Sequence, residues 1–146
     1  MLRRDHPQTV RTRLNLATAY ARLEDYAAAL PLEEQVITVR SRLQGPSHPD
    51  TLSILVNHAG TLLNAKQPEA ALRLLSDVQP LAWKVLGEKH PQAQMTMVTR
   101  AEALRVSGRT REALDEYRRL FELRRKVLGE TLVETRTPAW YLIDAR

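Results

Sequence analysis

Histidines and carboxylates are the side chains with which this 146-residue chain could do chemistry, because it has no cysteine. Thiolate zinc sites, disulfides and cysteine nucleophiles are thereby excluded. Three of the four histidines, His6, His48 and His90, each precede a proline, and each stands 42 residues after the last. Three imidazoles in one register suggest a metal site. At this spacing, however, they fall on successive copies of a stacked unit, where the rings do not converge on one ion. Their expected role is to open a helix, and no metal or cofactor is expected. His58 flanks an apolar helix face, where a hydrogen-bonded packing role is expected. Glu24-Asp25 and Glu33-Glu34 read as solvated surface. There is no glycine-rich phosphate loop, no HExxH, and no acid pair placed against a histidine. Catalysis needs convergent groups in a dry pocket, so the chain is not expected to be an enzyme.

The elements that carry these residues follow from the same 42-residue step. It takes Asn15 to Asn57, Ala17 to Ala59 and Ala101, and Ala29 to Ala71 and Ala113. It also takes Leu30 to Leu72 and Leu114, and Gly45 to Gly87 and Gly129. A fixed period of this size marks one supersecondary unit copied and stacked. Three full units, 4–45, 46–87 and 88–129, precede a partial fourth or cap at 130–146, all within one domain spanning 1–146.

Each unit reads as a helical hairpin. In the second, Pro49 suits a first helical turn. Leu52, Leu55, Val56, Ala59, Leu62 and Leu63 then recur at the three-and-four spacing of a helix with one buried face. Gln67-Pro68 opens a second helix with the same period, and Gly87 closes it. Helices are expected at about 7–23 and 27–44, 49–65 and 68–86, and 91–106 and 110–128. Pro31 falls near a helix start. Pro80 falls well inside its helix and predicts a bend or break near Leu75–Ser76. Thr137-Pro138, followed by Trp140, Leu142 and Ile143, predicts a short C-terminal capping helix.

Ala17, Tyr20 and Ala29, with their register mates Ala59, Leu62, Ala71 and Ala101, Leu104, Ala113, resemble the residues that pack the two helices of a tetratricopeptide repeat. The 42-residue period, the His-Pro openings, and Asn15-Leu16-Ala17 with Tyr26-Ala27-Ala28-Ala29-Leu30-Pro31-Leu32 resemble the longer variety found in kinesin light chains and many bacterial signalling proteins. The resemblance covers residues 4–129. It implies an all-α, right-handed superhelical solenoid of three helix-turn-helix tetratricopeptide repeats plus the cap, binding protein and doing no catalysis. Its implied peptide groove holds Arg11, Leu14, Thr18 and Arg22 from the first unit. The second gives Ser53, Val56, Gly60, Leu63 and Asn64, and the third Met95, Val98, Glu102 and Arg105. Where the family often has a groove-facing asparagine, this chain has Leu14, Val56 and Val98. With Trp140 they form an apolar column at 42-residue steps, bordered by arginines.

Composition narrows the partner. An apolar share of 43% suits a folded chain. No apolar run approaches the roughly 20 residues of a membrane span, and none follows Arg3 and Arg4, so no signal peptide is expected. These absences point to the cytoplasm. A net charge of +5 suits an acidic partner without specifying nucleic acid. The basic stretch Arg118, Arg119, Arg124, Arg125, Lys126 is interleaved with Asp115, Glu116 and Glu122, which predicts a partly paired surface. Few aromatics are available to stack bases. The expected partner is a protein or peptide, with self-association through the solenoid ends as the alternative and nucleic acid behind both. Eighteen arginines against four lysines suggest a GC-rich bacterial genome.

Overall fold

The computed structural model describes residues 6–131. Among them are six helices and no strand: α1 (Pro7–Arg22), α2 (Tyr26–Gln44), α3 (Pro49–Asn64), α4 (Pro68–Leu86), α5 (Pro91–Val106) and α6 (Thr110–Thr131). Consecutive helices pack in antiparallel pairs, and α3 also touches α5. The odd helices form one layer and the even helices a second.

The histidines start the odd helices. His6, His48 and His90 hold extended backbone at the cap position, and Nδ1 of each accepts the N–H two residues on. The distances are 3.2 Å from Gln8, 3.1 Å from Asp50 and 3.0 Å from Gln92. This satisfies a donor that the helix itself cannot. Each ring serves its own helix, and no cluster of metal-ligating side chains occurs among the described residues.

The odd helices end alike. Asp25 N–H donates to Tyr20 O and Glu24 N–H to Ala21 O; Gln67 and Lys66 repeat this pair, as do Arg109 and Gly108. These are Schellman closures, which need one left-handed residue. Glu24 (φ 60°) and Lys66 (φ 67°) fill that position in the first two hairpins, and Gly108 (φ 82°) in the third. Asp25 then caps α2, its carboxylate accepting the Ala28 N–H at 3.2 Å.

Two expectations about the even helices change. α4 is one helix from Pro68 to Leu86 through Pro80, so of the bend or break expected near Leu75–Ser76 the break does not occur. The ring lies on the exposed side, where water can take the carbonyl that it leaves unbonded. Gly129 does not end the third unit, because α6 continues to Thr131. Gly45 and Gly87 are followed by a new His-Pro opening, whereas the positions 42 residues after His90-Pro91 hold Leu132-Val133. With no proline to force an exit, the glycine is carried inside the helix at a cost of roughly 1 kcal/mol.

The pairing alanines are all buried. Ala17, Ala29, Ala59, Ala71 and Ala101 are 0% exposed, and Ala113 is 2%. Around them Leu62, Leu72, Ala103 and Leu104 form a core that Leu30 reaches from the first hairpin and Tyr117 from the third. No hairpin buries its apolar face alone, so stacking makes the core continuous. The expected C-terminal cap lies outside the described residues.

Candidate functional site

α3 is flanked by α2, α4 and α5, so its remaining surface is the open face of the odd-helix layer. That surface is one stripe, Asp50, Ser53, Asn57, Gly60 and Asn64, at alternating steps of three and four. Asp50, Asn57 and Asn64 are exposed, and Ser53 and Gly60 are half-buried. The register mates on α1, namely Gln8, Arg11, Asn15, Thr18 and Arg22, are all exposed. On α5, Met95 and Val106 are exposed and Glu102 is half-buried. The face is thus cationic and polar on α1, small and amide-bearing on α3, and mixed apolar and acidic on α5.

Of the expected groove residues, the structure puts Arg11, Thr18, Arg22, Ser53, Gly60, Asn64, Met95 and Glu102 on this face. Arg105 is exposed beside it. Its Nε donates to Glu102 at 2.8 Å, and that carboxylate holds the guanidinium above its ordinary pKa. Burial raises the pKa of the Tyr117 phenol from α6, with Glu102 adding to the effect. The apolar column is not a groove floor. Val56 is 1% exposed and packs with Leu52 and Val78. Leu14 packs on Val10, Val36 and Ile54, Val98 on Met97, Leu120 and Leu123, and Leu63 on the central core. These side chains lie about 100° around their helices from the open stripe, against neighbouring helices. Trp140 lies outside the described residues. Asn15, Asn57 and Val106 also lie on the face although the sequence did not assign them to the groove; the signal for the first two was their shared register.

A second polar cluster was not foreseen. Glu33 is not solvated surface: it is 7% exposed, wedged between α2 and α3. One carboxylate oxygen lies 2.6 Å from His58 Nδ1, and the other accepts from the Thr61 hydroxyl at 2.8 Å. A carboxyl group so placed requires these donors. His58 thus has the hydrogen-bonded packing role expected of it. The acid was missed because Glu33 and Glu34 are adjacent in a polar stretch, and only the packing angle tells them apart. In the third unit Glu116, 3% exposed, is held by Arg100 and Arg119, each at 3.2 Å.

The even-helix side carries the basic stretch. Arg125 lies 3.2 Å from Glu122, and Lys126 3.8 Å from Glu88. Beside them a cavity of about 380 Å³ is lined by Trp83, Met97 and Leu123 and rimmed by Arg118, Arg119, Glu88 and Glu122. No described helix is long and apolar enough to cross a membrane.

Family models of the tetratricopeptide repeat match residues 9–50 and 50–126. The chain belongs to the tetratricopeptide repeat family, whose members are generally protein–protein interaction modules. Its fold is similar to two structures of nearly identical TPR-like repeats of a kinesin light chain from Podosopora anserina. One, a singly substituted form, stands at TM-score 0.76 and 25% identity over 88% of this chain; the other stands at 0.75 and 25% over 86%. It is also similar in fold to BtubC (BKLC) from P. vanneervenii, at TM-score 0.76 and 15% identity over 92% of this chain. The chain spans 60% of the length of the Podosopora structures and 52% of BtubC. A comparison with curated proteins gives no match.

Proposed function

We propose that the chain binds an extended or helical segment of a partner protein across the open face of α1, α3 and α5, as a cytoplasmic module of a larger signalling or regulatory protein. The observation that carries this reading is the α3 stripe. Ser53, Asn57, Gly60 and Asn64 are small or amide-bearing, and they stay accessible on a helix packed on its other sides. Short side chains let a ligand backbone approach, and asparagine amides both donate to and accept from it. Arg11 and Arg22 favour acidic residues at one end of the ligand. Met95, 46% exposed, and Val106, 50% exposed, offer apolar contact at the other.

The ligand is therefore a segment with a hydrophobic anchor and acidic residues. Peptides selected from a displayed random library against the full chain should bind at the face. Asn57→Arg should weaken the selected peptide at least tenfold, about 1.4 kcal/mol, with helicity unchanged. Arg118→Ala, on the even-helix side, should leave affinity unaltered. Equal binding by wild type and Asn57→Arg contradicts the proposal. A steep fall of affinity with salt for a single-stranded nucleic acid, together with no peptide selected, supports nucleic acid instead.

A further inference from the structure

The cavity of about 380 Å³ lies between the even helices α4 and α6, both of which pack on α5. Its floor takes one residue from each of the three helices, Trp83, Met97 and Leu123, and these belong to one packed cluster. Trp83 is half-buried with its Nε1 shut away from solvent, so the ring shows the cavity its hydrocarbon part. The 42-residue mates of the floor are Ser41, Leu55 and Leu81; the first junction thus has a hydroxyl where this one has an indole. On the α6 rim, Arg118, Arg119 and Glu122 are exposed. Their mates Ser76, Asp77 and Pro80 on α4, and Glu34, Gln35 and Thr38 on α2, are exposed as well. Both of those helices are followed by another hairpin, which leaves these positions open. The mouth of the cavity therefore belongs to the even-helix layer and is not made by the end of the solenoid.

Charge on the rim is matched at all but one position. Arg119 lies 3.2 Å from Glu116, Glu122 3.2 Å from Arg125, and Glu88 3.8 Å from Lys126. Arg118 makes no ion pair among the described residues. We infer that this cleft is a second docking site, which takes an amphipathic helix of a partner protein. An apolar side chain of that helix fills the cavity, and an acidic residue one turn away pairs with Arg118. The apolar floor calls for the anchor, and the one unmatched guanidinium calls for the acid. Two helices over a floor form a groove that a third helix fills with one face, whereas a strand would turn alternate side chains away. Tryptophan and arginine are also the side chains that most often carry the energy of such contacts. The site lies on the layer opposite the open face of α1, α3 and α5 and does not depend on it.

The test uses peptides selected from a displayed helical library against the full chain carrying Asn57→Arg, which blocks the open face and leaves the cleft intact. The selected peptides should carry an acidic residue three or four positions from an apolar one. In the same background Arg118→Glu, at an exposed helical position, should weaken them at least tenfold with unchanged far-UV circular dichroism. Trp83→Ser, which installs the residue of the first junction, should weaken them as much. With methyl-labelled methionine, the peptide should shift the Met97 resonance, from the cavity floor, and leave Met95 in place. Undiminished binding to Arg118→Glu overturns the inference, as does a Met97 resonance that stays in place at saturation. A selection that yields no peptide overturns it too, the result expected if the chain's own residues 132–146 fill the cavity. None of these outcomes touches the open-face reading, whose peptides are lost with Asn57→Arg and are indifferent to Arg118.

Discussion

Replacing His58 with leucine removes one of the two side-chain donors that hold the Glu33 carboxyl group between α2 and α3. Glu33 is 7% exposed, so water does not readily replace the ring nitrogen now 2.6 Å away. Breaking a buried pair by deleting one partner costs about 3–5 kcal/mol. The lower end applies, because Thr61 still donates at 2.8 Å. Glu33→Leu is milder, at roughly 1–2 kcal/mol: it leaves an imidazole short of an acceptor, and the Thr61 hydroxyl still has Asn57 O at 3.1 Å. The double substitution installs residues that the chain already uses in this register, Leu75, which is 0% exposed, and Leu16. It should therefore return to within about 1 kcal/mol of wild type, since an apolar pair of similar volume replaces a buried polar pair at little cost. Urea denaturation followed by circular dichroism on the four proteins gives the coupling directly, and about 3 kcal/mol is expected. A coupling below roughly 0.5 kcal/mol would refute the claim that Glu33 depends on His58.

The turns and the glycines carry the remaining predictions. Lys66→Gly and Glu24→Gly should each stabilise the protein by about 0.5–1 kcal/mol, because both residues sit at positive φ where a side chain is strained; thermal melts would show it, and a lower melting temperature would count against the Schellman assignment. Alanine at two register-matched glycines should act in opposite directions. Gly87→Ala should cost about 1–2 kcal/mol at φ 87°, while Gly129→Ala, inside α6, should gain up to about 1 kcal/mol. The same sign at both sites would contradict the continuation of α6 past Gly129.

The hairpins were legible in the sequence because stacking repeats both the packing residues and the punctuation. Proline after each histidine marks where the odd helices begin, and the alanine pairs mark where helices touch. Gly129 misled because a glycine ends a helix only when the residues after it cannot continue the helix. The candidate face was half legible. A three-and-four period identifies a stripe without its rotation, so Val56 and Asn57 are equally plausible until the neighbouring helices are in place. Packing of α3 against Val78 of α4 turns Val56 inward and leaves Asn57 out. Glu33 was illegible for a related reason: a buried acid is recognised by its donors, and His58 and Thr61 lie 25 and 28 residues away.

The open face as binding surface is tested most directly by its methionines. The chain has three, Met1, Met95 and Met97; Met95 lies on the face at 46% exposure, and Met97 lies in the core at 2%. With methyl-labelled methionine, titration of a selected peptide should shift the Met95 resonance in proportion to binding while Met97 stays in place. A peptide that binds stoichiometrically and leaves Met95 unmoved would show that the partner docks elsewhere.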